Sequence, residues 1–222
     1  MTNRRILRLT GADTHSFLQG LITNDMDKIA DGPIYAALLT PQGKYIADFF
    51  VSADGDAVLV DVEAAVGDML VQRVSMYKLR ADVAIAESEL YLHRGLGEAP
   101  EDGYADPRTP ELGWRAYRPA PQTDAATDWD ALRVAHMVPE TGVELPPDSF
   151  ILEMGFERLH GVDFRKGCYV GQEVTARMKH KTSLRKGLAR VTLEGAVPEG
   201  TELTANNMPA GSVFTQSGDR GL

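Results

Sequence analysis

The sequence predicts an α+β fold. Strand-length apolar segments and amphipathic helical segments alternate without a regular βαβ rhythm, and tight hairpin signals between them favour antiparallel pairing. Beyond His180 the helical periodicity stops. Short apolar runs then follow one another between Gly, Pro and Asn turns, the pattern of a small β-barrel or sandwich.

Each element has its own signal. Residues 6–9 read as a short strand, and Gly11-Ala12-Asp13 as the turn into a helix. Asp13 or Thr14 can cap that helix, whose apolar positions are Phe17, Leu18, Leu21 and Ile22, and Thr23-Asn24-Asp25 ends it. Strands are expected over 34–39 and 44–51, joined by the hairpin signal Thr40-Pro41-Gln42-Gly43. After the turn Asp54-Gly55-Asp56 comes a strand over 57–62, then the clearest helix of the first half, 64–79. Val66, Met69, Leu70, Val74 and Tyr77 mark its apolar face. Residues 78–85 look strand-like, whereas 98–110 and 119–127 read as loops. A short helix over 129–137, capped by Asp128, precedes an irregular segment with Pro146-Pro147. Three short strands, 184–193, 201–204 and 211–215, make up the C-terminal module.

Composition bounds the function. A chain of 222 residues with 43% hydrophobic and 25% charged content can bury a real core. No apolar run approaches the roughly 20 residues that span a bilayer, so no membrane partner is expected. Arg4, Arg5 and Arg8 hint at a mitochondrial presequence, but their segment alternates like a strand. The single cysteine excludes an internal disulfide and suits a reducing compartment, so the expected location is cytoplasmic. It also excludes a self-contained iron–sulfur site, which needs about four ligands.

The net charge of −9 argues against indiscriminate nucleic-acid binding. It is unevenly spread. Arg177, Lys179, Lys181, Arg185, Lys186 and Arg190 follow one another with no acid between them. Such a run is either a solvated face or a seat for an anionic ligand group.

The most chemical stretch is DFRKGCYVGQEVTARMKH, from Asp163 to His180. It holds the sole cysteine, Cys168, with Arg165 and Lys166 before it and a helix expected from Gln172-Glu173. Val170, Val174 and Met178 could form an inward stripe, with Glu173, Arg177 and Lys181 on a neighbouring face. Cationic neighbours and a helix start favour a thiolate. A small buried hydrophobe is the equal alternative for Cys168.

Lys166 to Glu173, KGCYVGQE, resembles the K-G-C-[FY]-x-G-Q-E signature of the YgfZ family, folate-binding proteins related to the T-protein (aminomethyltransferase, GcvT) of the glycine cleavage system. Seven defined positions match, a rare Cys among them. The resemblance extends over nearly the whole chain: G-A-D-x-x-x-F-L-Q-G-x-x-T-N-D from Gly11, Y-x-L-R-x-x-V from Tyr77, and Asp106-Pro107-Arg108 followed by Leu112-Gly113-Trp114-Arg115.

That resemblance implies two GcvT-like α/β subdomains with antiparallel sheets around a central cavity, plus a small C-terminal β-barrel module. Residues 1–180 would be the folate-binding region, with subdomains near 1–42 with 111–180, and 43–110. Residues 181–222 would be an incomplete C-terminal β-module, since the chain ends as another strand would begin. The implied function is a tetrahydrofolate-binding accessory protein for iron–sulfur cluster assembly or repair. Cys168 would be its working thiol, with Lys166 beside it. Thr23, Asn24, Asp48, Gln172, Glu173 and Arg177 would face tetrahydrofolate, and the basic run would receive the glutamate tail. Partners would be folate and iron–sulfur client or assembly proteins, without direct nucleic-acid contact. One alternative is a folate-dependent aminomethyltransferase. The Cys-containing motif and Ala47, which stands beside Asp48 where the T-protein has the other of two adjacent aspartates, weigh against it. A tRNA-modification factor is the third reading, disfavoured by the charge and the lack of clustered aromatics.

Overall fold

A computed structural model describes residues 3–123, 127–181 and 183–222. Its centre is a five-stranded antiparallel sheet in the order β2-β3-β4-β1-β5. The strands are β1 (Arg4–Thr10), β2 (Ile34–Leu39), β3 (Tyr45–Asp54), β4 (Ala57–Glu63) and β5 (Ala84–Glu87). Helices α1 (Thr14–Gln19) and α2 (Ala64–Lys78) cover one face. Leu18, Leu21, Leu70 and Val74 pack there against Leu7, Leu9, Leu38, Phe49 and Val60. The other face buries Tyr35, Leu39, Tyr45 and Phe50 against Leu145, Ile151, Phe156 and Leu159. Apart from Asp48, Ser52 and Asp61, the buried positions of β2, β3 and β4 are apolar on both faces because both are covered.

Three further strands form a second antiparallel sheet in the order β6-β8-β7, from β6 (Tyr91–Gly95), β7 (Tyr104–Ala105) and β8 (Trp114–Arg118). Helix α3 (Trp129–His136) is capped by Asp128, whose side chain accepts from the Ala131 amide at 2.9 Å. Helix α4 (Gln172–Lys181) follows the cysteine motif. The C-terminal module contains β9 (Val191–Thr192), β10 (Thr201–Ala205), β11 (Met208–Val213), β12 (Gln216–Ser217) and β13 (Arg220–Gly221).

The α+β reading therefore holds, with differences in detail. The strand-like signal at 78–85 forms pairs only from Ala84, and β6 to β8 lie in a region whose half-exposed strands alternate weakly. Asp13 stands at the α1 N-cap without capping it, because its carboxylate accepts from the Asp82 amide at 2.8 Å. The loop expected over 119–127 falls partly outside the described residues. Arg4, Arg5 and Arg8 are strand residues, paired with Asp61, with Asp68 and Glu87, and with Asp54.

Two glycines join the motif to the sheet. Gly171 has φ +84, and a Cβ there would lie 2.7 Å from the Thr40 carbonyl oxygen in the β2–β3 hairpin. Gly43, in that hairpin, would in turn meet the Val174 side chain. Gly171→Ala combines left-handed strain with a clash against backbone, and should cost about 2 kcal/mol. Thermal unfolding should show a fall of about 4–8 °C; an unchanged midpoint would mean that the hairpin and helix can move apart freely.

Candidate functional site

The structure separates the predicted site residues into two places. One is a cavity of about 640 Å³ between the five-stranded sheet, the β6-β8-β7 sheet and α3. The other is the surface loop that carries Cys168.

Asp48 lines the cavity. A β-bulge puts it there. The β2–β3 register passes from Leu38↔Ala47 to Leu39↔Tyr45, skipping Ile46. Ile46 and Ala47 consequently both enter the core beneath the helices, while Tyr45 and Asp48, three apart, share the opposite face. Ala47 is fully buried away from the cavity, so an acid at that position would not join Asp48. Around Asp48, Tyr35 donates at 2.9 Å to Oδ2, while Tyr45 at 2.6 Å and Thr141 at 2.5 Å donate to Oδ1. Burial, then the neighbouring Asp48 charge, push both phenols up and keep them protonated. A carboxylate has about four acceptor positions, so three of Asp48's are taken.

Arginines dominate another wall, and the sequence reading assigned them no role. Arg4, Arg94, Arg108 and Arg115 line it, with Arg4, Arg108 and Arg115 grouped around the Phe50 ring at 5.6, 4.8 and 3.5 Å from its centroid. Two buried acids sit behind them. Asp61 takes Arg4 Nε at 2.7 Å, Arg115 Nη2 and the Tyr117 hydroxyl at 3.1 Å. Asp106 takes Arg108 Nη2 at 2.9 Å and Arg115 Nη1 at 3.3 Å. Burial alone would raise Asp61, but Arg4 and Arg115 outweigh it and hold the carboxyl below the usual range. At Asp106 burial again acts upward, and Arg108 with Arg115 takes the group down to about 2. Arg94 lies over Trp129 at 4.0 Å, and burial with the field of Arg115, Arg108 and Arg4 lowers it to about 10. A signal did exist: Asp61 interrupts an apolar strand, and a charge buried on such a strand needs a partner.

Thr23 and Asn24 are buried, yet they serve the backbone. Thr23 Oγ1 donates to the Gly161 carbonyl at 2.6 Å and accepts from the Ala37 amide at 2.8 Å. Asn24 Nδ2 donates to the carbonyls of Tyr35 at 2.8 Å and His160 at 2.7 Å. Lys166 completes this knot. Its ammonium donates to the carbonyls of Gln19, Ile22 and Asn24 at 2.7, 2.6 and 2.8 Å, at the C-terminal end of α1. Burial lowers Lys166 to about 8, against Asp25 and Asp163, which favour its charge. Three residues flagged by the family resemblance thus tie the cysteine loop to the sheet.

Cys168 itself is exposed, so the buried-hydrophobe alternative fails. Helix α4 begins at Gln172, four residues beyond the thiol. Gln172 Nε2 donates to the Gly167 carbonyl at 3.5 Å. Glu173 and Arg177 form an exposed i,i+4 pair at 2.7 Å, and Lys179 pairs with Glu157. None of these lines the cavity. The sequence reading brought folate and thiol residues into one site; the structure brings only Asp48 to the cavity and leaves the rest around the loop.

Residues 185–222 match the family pattern described as CAF17, C-terminal beta-barrel domain. The chain is 32% identical over 231 residues to the iron–sulfur cluster assembly factor IBA57 homolog, mitochondrial, of Mycosarcoma maydis, covering 88% of this chain and 57% of that protein. It is 30% identical to the mouse iron–sulfur cluster assembly factor IBA57, mitochondrial, over the whole chain and 75% of that protein. The chain thus spans between about half and three quarters of the length of these relatives. Among solved structures, the glycine cleavage system aminomethyltransferase T of Bartonella henselae superposes with a TM-score of 0.73 over 99% of this chain and 76% of that one, at 13% identity. The fold is therefore that of the aminomethyltransferase, closed by a C-terminal β-barrel domain. Two expectations change. The relatives carry the IBA57 name, which replaces YgfZ itself by a related family. They are also named as mitochondrial proteins, which overturns the cytoplasmic expectation.

Proposed function

The chain belongs to the IBA57 family of iron–sulfur cluster assembly factors, and on that premise we propose that it supports the assembly or repair of iron–sulfur clusters in client enzymes while holding a reduced folate in its cavity. The observation that carries this reading is the placement of its only cysteine. Cys168 is exposed, outside the cavity, on a loop fastened by Lys166 to three backbone carbonyls. A thiol so placed is open to a partner protein, and its loop does not have to be ordered when the partner arrives. Clients and assembly proteins of the iron–sulfur pathway are the partners it fits.

The cavity supports the folate half. Its volume lies in the range of small-molecule sites, about 300–1,000 Å³. One wall is cationic and suits a carboxylate; Asp48 on another offers a remaining acceptor position to an N–H group. Tyr35, Tyr45 and Thr141 already fill three of Asp48's acceptor positions, an arrangement that favours a binding role over aminomethyl transfer.

The test is complementation. A strain lacking the gene should lose activity of several iron–sulfur enzymes, and wild type should restore it. Cys168→Ala, an exposed substitution that leaves the fold intact, should restore less than about a tenth of the activity if the thiol acts directly in the chemistry. Full restoration by Cys168→Ala would end the proposed role of the thiol.

A further inference from the structure

We propose that Glu63 is the second carboxylate of the cavity, set beside Asp48 across the β3–β4 ladder, and that the two acids together recognise the N–H groups of an amino-substituted heterocycle, the chemical class of a reduced pterin head. This rests on the folate reading above and deepens it by naming the ligand end that the acids select.

Register supplies the placement. The β3–β4 ladder ends at the pair Phe49↔Val62, and Asp48 and Glu63 are the next residues of the two strands beyond it. Both side chains line the cavity. Ala47 turns away from it, so a second acid arrives from the neighbouring strand and not from the adjacent position in the chain.

Glu63 contributes little to the fold that holds it. It stands at the N-cap of α2, but its side chain makes no capping hydrogen bond. Oε2 is buried and has no hydrogen-bond partner within the protein. Its ion-pair neighbour, Arg4 Nη1, is 3.9 Å away, and the Nε and Nη2 of that arginine already bond to Asp61 at 2.7 and 2.6 Å. Burial, and the charges of Glu140 and Asp48, raise the Glu63 carboxyl against the pull of Arg4. A partly buried acid whose enclosed Oε2 lacks a hydrogen bond costs stability, and such a cost is typical of a group kept for a ligand. With one acceptor position left on Asp48 and Oε2 free on Glu63, neighbouring N–H groups of one heterocycle find an acceptor each.

The test titrates tetrahydrofolate into wild type, Glu63→Gln and Glu63→Asp, with p-aminobenzoyl-glutamate as a probe that lacks the pterin. Glu63→Gln should melt at or above the wild-type temperature, because it removes a partly buried charge whose Oε2 has no hydrogen bond. Its tetrahydrofolate affinity should fall about 10–100-fold, the loss of one charge-assisted hydrogen bond. Glu63→Asp, which withdraws the carboxylate, should fall between, and p-aminobenzoyl-glutamate should bind all three proteins alike. Wild-type affinity in Glu63→Gln would overturn the assignment of Glu63 and leave the folate reading standing. Failure of wild type to bind tetrahydrofolate would overturn both.

Discussion

Asp61→Asn should destabilise the protein by about 4 kcal/mol, lowering the melting temperature by roughly 8–16 °C. Asp61 is fully buried and answers two guanidiniums, Arg4 and Arg115, while the Tyr117 hydroxyl donates to it as well. Asparagine keeps the shape but leaves both arginines with only the partial support of Asp106 and Glu63. Breaking a buried pair from one side costs about 3–5 kcal/mol, because the remaining charge has lost its compensation. The same residues set an acid sensitivity. Asp61 and Asp106 are held below their ordinary range, Asp106 at about 2. A carboxylate with a lowered folded-state pKa contributes stability that is present above its unfolded value and lost as pH falls through the folded one. Wild-type stability should therefore drop between the ordinary carboxylate value of about 4 and pH 2, and less steeply in Asp61→Asn. Denaturant midpoints measured across that window decide the matter; identical slopes would show that the arginine wall does not depend on Asp61.

Lys166→Met should cost about 3 kcal/mol, or roughly 6–12 °C in melting temperature. Methionine fills the space of the side-chain stem but donates nothing to the carbonyls of Gln19, Ile22 and Asn24, which Lys166 now satisfies at 2.6–2.8 Å. The effect should also reach the cysteine loop. Thr23 accepts the Asp163 amide at 2.9 Å through its carbonyl, so the N-terminal segment and the loop are stitched at both ends. Hydrogen exchange over residues 160–171 should quicken in Lys166→Met, and complementation should fail although Cys168 is unchanged. A variant that melts within about 2 °C of wild type would reduce Lys166 to a surface cation with an incidental contact.

Much of the fold was legible because it depends on local chemistry. The hairpin Thr40–Gly43 closes as its turn residues require, with the Thr40 amide donating to the Lys44 carbonyl at 2.8 Å. Asp128 caps α3, and α2 runs where its apolar periodicity placed it. The glycines flanking Cys168 differ in this respect: Gly167 has open space around it, whereas Gly171 lets two backbones approach, a demand that comes from a hairpin over 120 residues earlier.

The site was legible as residue types and not as an arrangement. By itself the sequence determined the alternation that makes an α+β fold, the caps and turns, the loop with its one thiol, and the acid at 48. Each follows from interactions within a few residues, or from periods of 2 and 3.6 that any chain of this pattern obeys. Tertiary structure alone decided that Lys166 anchors a loop, that Thr23 and Asn24 serve backbone groups, and that Arg177 stays on a solvent face. It also decided which residues line the cavity. A bulge at Ile46 turned Ala47 away, while Asp48 and Glu63, on neighbouring strands, both line it. Bulges and register are set by how whole strands bury their faces against one another, so no local reading of positions 45–49 contains them.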